Sequence, residues 1–268
     1  MEAKKKKFIK ELLTKSKARR ESGLYIVDGP KMCKELKAYD IESLFVTKNF
    51  LESENAASCK NLLESVAYEL VTEADMKQLS DTVTPQGIVA LVKQKKNIDI
   101  KELLSESKDK TPLLFILEKL QDPGNLGTIV RAAEAAGVTG IVMSSDCADI
   151  YSPKVVRSTM GAIFRVPFII TDDLCSFVNE IKAGKYTEGV KFNIYAAHLK
   201  GAKEYDLLSY IEPTAVMIGN ESKGLSDELT GCADYAVKIP MCGTVESLNA
   251  AMAAAIIMFE AGRQRRHK

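Results

Sequence analysis

The spacing of apolar residues changes period along this chain. Phe8, Ile9, Leu12 and Leu13 recur as on one face of a helix, and the apolar run at 24–27 predicts a short strand. Asp28, Gly29 and Pro30 then turn the chain into a second helix near 31–38. Runs at 43–46 and 87–92 predict two more strands, with an amphipathic helix near 57–67 between them. Together these make a small α/β layer. Further along the alternation is more regular, with strands expected at 113–117, 140–143, 166–170, 193–197, 215–218 and 236–239. Helices are expected near 126–136, 153–160, 173–183, 225–230 and 247–264. That order predicts an α/β domain with a mostly parallel sheet covered on both faces. Ligands of such sheets bind outside the carboxyl ends of the strands.

Between the two patterns, 93–110 is polar and lysine-rich, interrupted only by Ile98, Ile100, Leu103 and Leu104. It reads as a boundary with room for one helical turn. The expected organisation is one domain over 1–95, a linker over 96–110 and a second domain over 111–268, consistent with a length of 268 residues. No apolar run approaches the ~20 residues of a membrane-spanning helix. The lysines at 4–7 are not followed by an apolar stretch, so no secretory leader is expected. Six cysteines without a C-x-x-C pair suit a reducing cytoplasm better than a zinc site or a disulfide framework. The net charge of +1 divides into +7 over 1–20, +4 over 263–268 and −10 between. Basic ends on an acidic body suit a polyanionic partner, although merely solvated lysines give the same count.

Three loops leave strand ends with unusual residues. The first is Asp122-Pro123-Gly124-Asn125-Leu126-Gly127, where Asn125 is placed to cap a helix whose apolar stripe is Leu126, Ile129, Val130 and Ala133. Arg131 lies off that stripe; a surface arginine after a routine turn would look the same. The second loop, Gly219 to Glu228, has the paired glycines of a phosphate loop. It lacks the Lys-Ser/Thr that must follow the second one, and Glu221 would repel phosphates. Gly219 allows a ligand close to the backbone, and Ser226 can cap a short helix. The third loop runs from Ile239 through Pro240-Met241-Cys242-Gly243 to Ser247-Leu248-Asn249, with Ser247 as a candidate cap and Cys242 read as packing. The helix after it is rich in Ala, Met and Ile, which implies packing against other segments or another subunit. Arg263, Arg265 and Arg266 at its end suit the negative helix pole. No G-x-G-x-x-G fingerprint is present, which counts against a dinucleotide-dependent dehydrogenase, and two histidines leave little for His-based catalysis.

Taken together, Asn125-Leu126-Gly127 with Arg131, Ile218 through Leu225, and Ile239 through Asn249 resemble the three signature motifs of the SpoU (TrmH-like) RNA 2′-O-ribose methyltransferases of the SPOUT superfamily. The resemblance covers roughly 111–268. Lys17-Ala18-Arg19-Arg20 before Tyr25-Ile26-Val27-Asp28-Gly29, and Thr84-Pro85-Gln86-Gly87-Ile88, resemble the substrate-binding domain often joined to this family. Asp28 stands where that domain commonly has Glu, and Ala250 where a bulkier apolar residue is common. The resemblance implies a parallel-sheet domain with a C-terminal trefoil knot, preceded by a small ribosomal-protein-like α/β domain. It implies S-adenosyl-L-methionine as cofactor, held largely by backbone groups at Ala197, Gly219, Ile239, Gly243 and Leu248, and a homodimer through the knot region. Catalytic roles would fall to Arg131, Asn125, Glu221, Ser247 and Asn249. Lys17, Arg19, Arg20 and Lys31 would grip RNA.

The implied reaction needs alignment and one proton acceptor, because the 2′-hydroxyl must lose its proton as it attacks the sulfonium methyl. Arginine is too basic to accept that proton at neutral pH unaided. Either a neighbouring phosphate assists Arg131, or Arg131 only orients and stabilises the forming alkoxide. Asn125, Ser247 and Asn249 would position the hydroxyl and Arg131, while Glu221 would hold either the arginine or the loop. Structured RNA, ribosomal first, is the expected substrate. Transfer RNA, base methylation and a non-catalytic RNA-binding assembly factor are the alternatives.

Overall fold

The computed structural model describes residues 1–106, 111–186, 189, 191–199 and 201–267. It separates into a first unit of Met1–Lys96 with Asp149–Phe164, and a second of Asn97–Ala148 with Arg165–Lys268. In the first, β1 (Leu24–Asp28), β2 (Ile41–Thr47), β3 (Tyr68–Val71) and β4 (Ile88–Lys93) form a sheet of order β1-β4-β2-β3. β4 pairs antiparallel with β1 and β2, and β3 lies parallel to β2. The Ala3–Thr14 helix closes one face by burying Ile9 and Leu12 with Ile26, Phe45, Val89 and Leu91. The expected helix near 31–38 stops early, as Pro30–Cys33. The one near 57–67 is split into Glu54–Ser58 and Lys60–Ser65. β3 was not foreseen because it is an edge strand that buries only Val71 and shows no clean alternation. The following Glu73–Leu79 helix carried a readable cue, since Thr72 accepts a hydrogen bond from the Asp75 N–H at 3.1 Å.

The Pro153–Ser158 helix, expected within the second domain's alternation, belongs to the first unit. The Tyr151 ring lies 4.7 Å from that of Tyr25, and its hydroxyl accepts from the Lys95 N–H at 3.0 Å.

The second unit holds β5 (Leu113–Leu117), β6 (Gly140–Ser144), β7 (Phe168–Thr171), β8 (Asn193–Ala197), β9 (Lys203–Glu204), β10 (Thr214–Ile218) and β11 (Tyr235–Lys238). Their order is β7-β6-β5-β10-β8-β11-β9, parallel throughout. β5 and β10 are buried along their whole length, which is why they read as unbroken apolar runs. One face is covered by the Leu174–Lys182 and Ile100–Glu106 helices, whose Phe177, Val178, Ile181, Ile100 and Leu103 join Ile116, Val142 and Ile194 in one core. Much of the stretch read as a linker is therefore core material: a Cβ on Gly140 would lie 2.5 Å from Leu103. Residues 107–110 of that stretch lie outside the described residues. The Pro123–Ala136 and Ala250–Arg266 helices pack together closely, for a Cβ on Gly262 would sit 3.2 Å from the Ala136 carbonyl.

Arg265 does more than complement a helix pole. Its guanidinium donates to the carbonyls of Tyr210, Thr111, Pro112 and Glu212, and burial lowers its pKa to about 10. Arg263 pairs with Glu260 at 2.7 Å. Among the described residues no helix is long and apolar enough to cross a membrane.

Candidate active site

The carboxyl ends of β10, β8 and β11 lie side by side, with Met217 opposite Ala196 and Val237 opposite Ala197. Ala197, Gly219 and Ile239, which are far apart in sequence, therefore line one edge of the sheet. The polarity of parallel strands produces this, because every loop leaving a strand end emerges on the same side. Gly219 is needed for a reason internal to the chain. A Cβ there would lie 2.2 Å from the Gly224 carbonyl carbon and the Leu225 nitrogen, so the tight approach is made by the loop itself rather than by a ligand. Asn220 and Gly224 close the loop with two backbone hydrogen bonds of 3.0 and 2.9 Å, and Gly224 takes φ +70°. Ser226 caps the Asp227–Gly231 helix as expected. Its own N–H donates at 2.7 Å to Glu118, a buried carboxylate at the end of β5 that sequence reasoning did not select.

Glu221 faces the other way. One carboxylate oxygen accepts from the Asp122 N–H at 2.9 Å and from Asn125 Nδ2 at 3.0 Å; the other accepts from the Gln121 N–H at 3.1 Å. Of the two roles left open for it, holding the loop is the one seen. Partial burial works against its charge, but the hydrogen bonds from Asn125, Asp122 and Gln121 outweigh this and hold the carboxyl below its usual range.

Two expected caps are reassigned. The first helix begins at Pro123 and is capped by Asp122, which accepts from the Asn125 N–H at 2.8 Å. Asn125 is thus one turn inside the helix and its amide is free to bridge loops. The last helix is capped by Asn249 rather than Ser247, its Oδ1 accepting from Ala251 and Met252 N–H. Asn249 Nδ2 then donates to Asn125 Oδ1 at 2.9 Å. A continuous relay results, from the Glu221 carboxylate through two amides to a helix N-terminus, joining all three loops.

Arg131 and Ser247 are not part of that relay. Both are exposed, and neither side chain has a hydrogen bond or ion pair among the described residues. Arg131 lies six residues beyond Asn125 on one helix, about 9 Å along the axis. Gly243 and Leu248 are exposed, and Cys242 is exposed too, which overturns its reading as packing. Residues 239–248 make no backbone–backbone hydrogen bonds among the described residues. Their free peptide groups, with the exposed apolar Val245 and Leu248 in the same stretch, fit a ligand with both polar edges and an aromatic base.

Of the expected RNA contacts, Lys17, Arg20 and Lys31 are exposed, although Lys17 shares Glu21 at 3.7 Å. Arg19 is not available. It is 4% exposed, pairs with Asp149 at 2.7 Å and donates to the Leu12 carbonyl, so it is a buried strut of the first unit.

The sheet of this order, with three motif loops tied at its strand ends, matches the fold of solved SpoU methyltransferases. The SpoU rRNA Methylase family matches residues 112–259, and the chain belongs to it. The MRM3-like substrate binding domain matches residues 4–90. The chain is 30% identical to the 23S rRNA (guanosine(2553)-2′-O)-methyltransferase of Bacillus subtilis, over 93% of this chain and 92% of that protein. It is 29% identical to human mitochondrial rRNA methyltransferase 3, over 92% of this chain and 69% of that one. The crystal structure of the SpoU methyltransferase AviRb from Streptomyces viridochromogenes with AdoMet superposes with a TM-score of 0.85 at 26% identity, covering 98% and 99% of the two chains.

Proposed function

We propose that this chain transfers the methyl group of S-adenosylmethionine to a ribose 2′-hydroxyl of structured RNA, ribosomal RNA first. The observation that carries this reading is the Glu221–Asn125–Asn249 relay, which draws the three family motifs together at the carboxyl ends of the sheet. Ala197, Gly219, Ile239, Gly243 and Leu248 would hold the donor, the last three through the peptide groups left unpaired after β11. When bound, that sulfonium supplies an electrophilic methyl and loses its positive charge on transfer. Arg131 stands exposed with no carboxylate against it, so its cation is available to the substrate. It orients the hydroxyl and stabilises the forming alkoxide, while the proton passes to a substrate phosphate or water. Asn125 and Asn249, already committed to each other, act by fixing loop geometry. Ser247 is left to touch the ribose.

The C-terminal segment supports two further parts of the reading. Met252 and Phe259 are exposed on a helix whose other side is buried, and Val245 and Leu248 are exposed just before it. That apolar strip suits a second copy of the chain, with the trefoil threading of the family around it. The reading puts the protein with its RNA in a reducing cytoplasm. The test is to digest RNA after incubation with enzyme and labelled S-adenosylmethionine. Label in 2′-O-methyl nucleosides of ribosomal RNA supports the proposal. Label only in transfer RNA or in bases corrects the substrate, and no heat of cofactor binding in calorimetry would reduce the protein to an assembly factor.

A further inference from the structure

Four consecutive lysines occupy the first turns of the Ala3–Thr14 helix, and that first turn contains no acidic residue. Cations at the positive pole of a helix are unfavourable, and like charges three residues apart on one face repel. Half of this conflict is resolved inside the first unit. Lys5 pairs with Glu69 at 2.9 Å, and Lys6 pairs with Asp75, which the chain's terminal amine also approaches at 4.0 Å. The other half is not resolved. Lys4, Lys7 and Lys10 lie on the exposed face at three-residue intervals, without an ion pair among the described residues. Glu11, the carboxylate one turn beyond Lys7, is taken by Lys15 at 3.1 Å. Glu2, at the N-cap, makes no capping hydrogen bond. The opposite face is committed to the core through the fully buried Ile9 and Leu12, so no apolar surface remains for insertion into a bilayer. A row of cations that the free protein does not balance makes a local positive field complementary to a polyanion.

We infer that Lys4, Lys7 and Lys10 form a phosphate-backbone rail for the RNA substrate, a contact separate from Lys17, Arg20 and Lys31. The three ammonium groups are spread over about 9 Å of helix axis, and their flexible stems reach successive phosphates. The inference rests on the RNA reading above, and the experiment separates the two. The full chain and its Lys4→Gln/Lys7→Gln/Lys10→Gln variant are titrated with a stem–loop RNA across a potassium chloride series. The variant should bind more weakly, with a log–log salt slope shallower by about 2–3, one counterion release per lost contact. Its thermal midpoint should hold or rise, because the helix is relieved of its own repulsion. A Lys48→Gln/Lys60→Gln control, on helices where each lysine already shares a glutamate, should leave the slope unchanged. An unchanged slope in the triple variant overturns the rail. So does wild-type binding to phosphatidylglycerol vesicles with the same dependence on these lysines. Failure of the wild-type protein to methylate RNA, with the slope difference intact, would sink the methyltransferase reading and leave the rail standing.

Discussion

Replacing Glu221 by glutamine is the most informative single change, because all its partners in the clasp are donors. A carboxylate only accepts, so it satisfies the N–H groups of Gln121 and Asp122 and the amide of Asn125 together. Glutamine keeps one oxygen, which can still serve Asp122 and Asn125, but it turns an NH2 towards the Gln121 N–H. One charge-assisted bond is lost, worth about 1.5–3 kcal/mol when sheltered. The carboxylate is largely exposed, so the net is closer to ~1–1.5 kcal/mol. That corresponds to a roughly 5- to 12-fold fall in the equilibrium ratio of assembled to open loops. Initial rates of methyl transfer and the calorimetric affinity for S-adenosylmethionine should both fall by about that factor. Aspartate, shorter but acceptor-only, should recover part of it. The pH dependence has a definite sign. The folded carboxyl titrates below its unfolded value, so its stabilisation is complete above the ordinary carboxylate range and is lost as pH falls through the folded value. Cofactor affinity should therefore weaken on acidification in the wild type and stay flat in the glutamine variant. A glutamine variant that turns over within about twofold of wild type would refute the clasp.

Arg131→Ala should abolish methyl transfer while leaving cofactor affinity within a few fold, since Arg131 touches none of the loop relay; retained turnover removes it from the mechanism. Gly219→Ala must push apart backbone atoms 2.2 Å from the new Cβ, and cofactor affinity by calorimetry should fall about 5- to 150-fold, a strain of ~1–3 kcal/mol. Arg19→Ala leaves Asp149 unpaired and should cost about 2–4 kcal/mol in urea unfolding of the first unit, without altering the salt slope of RNA binding. A change in that slope with unchanged stability would return Arg19 to the RNA surface.

The sequence by itself determined the parallel α/β plan, the strand positions in the second unit and the three loops worth reading. These depend on local period and on which residues tolerate tight turns. The apolar runs at β5 and β10 read as strands, and their burial along the whole length was added by the structure. Other features needed the tertiary structure because they depend on partners far away in the chain. Arg19 reads as one more surface cation until Asp149, 130 residues on, is found beside it. Ile100 and Leu103 look like stray apolar residues in a linker until Gly140 makes room for them. Asn125 and Ser247 are good caps by type, but Asp122 and Asn249 occupy those positions, which leaves Asn125 to carry the bridge between loops. Glu118 had no local signal, because a carboxylate at a strand end becomes informative only when it is buried against the Ser226 N–H. Side-chain type and spacing select the loops; only the folded sheet decides which of their donors and acceptors meet.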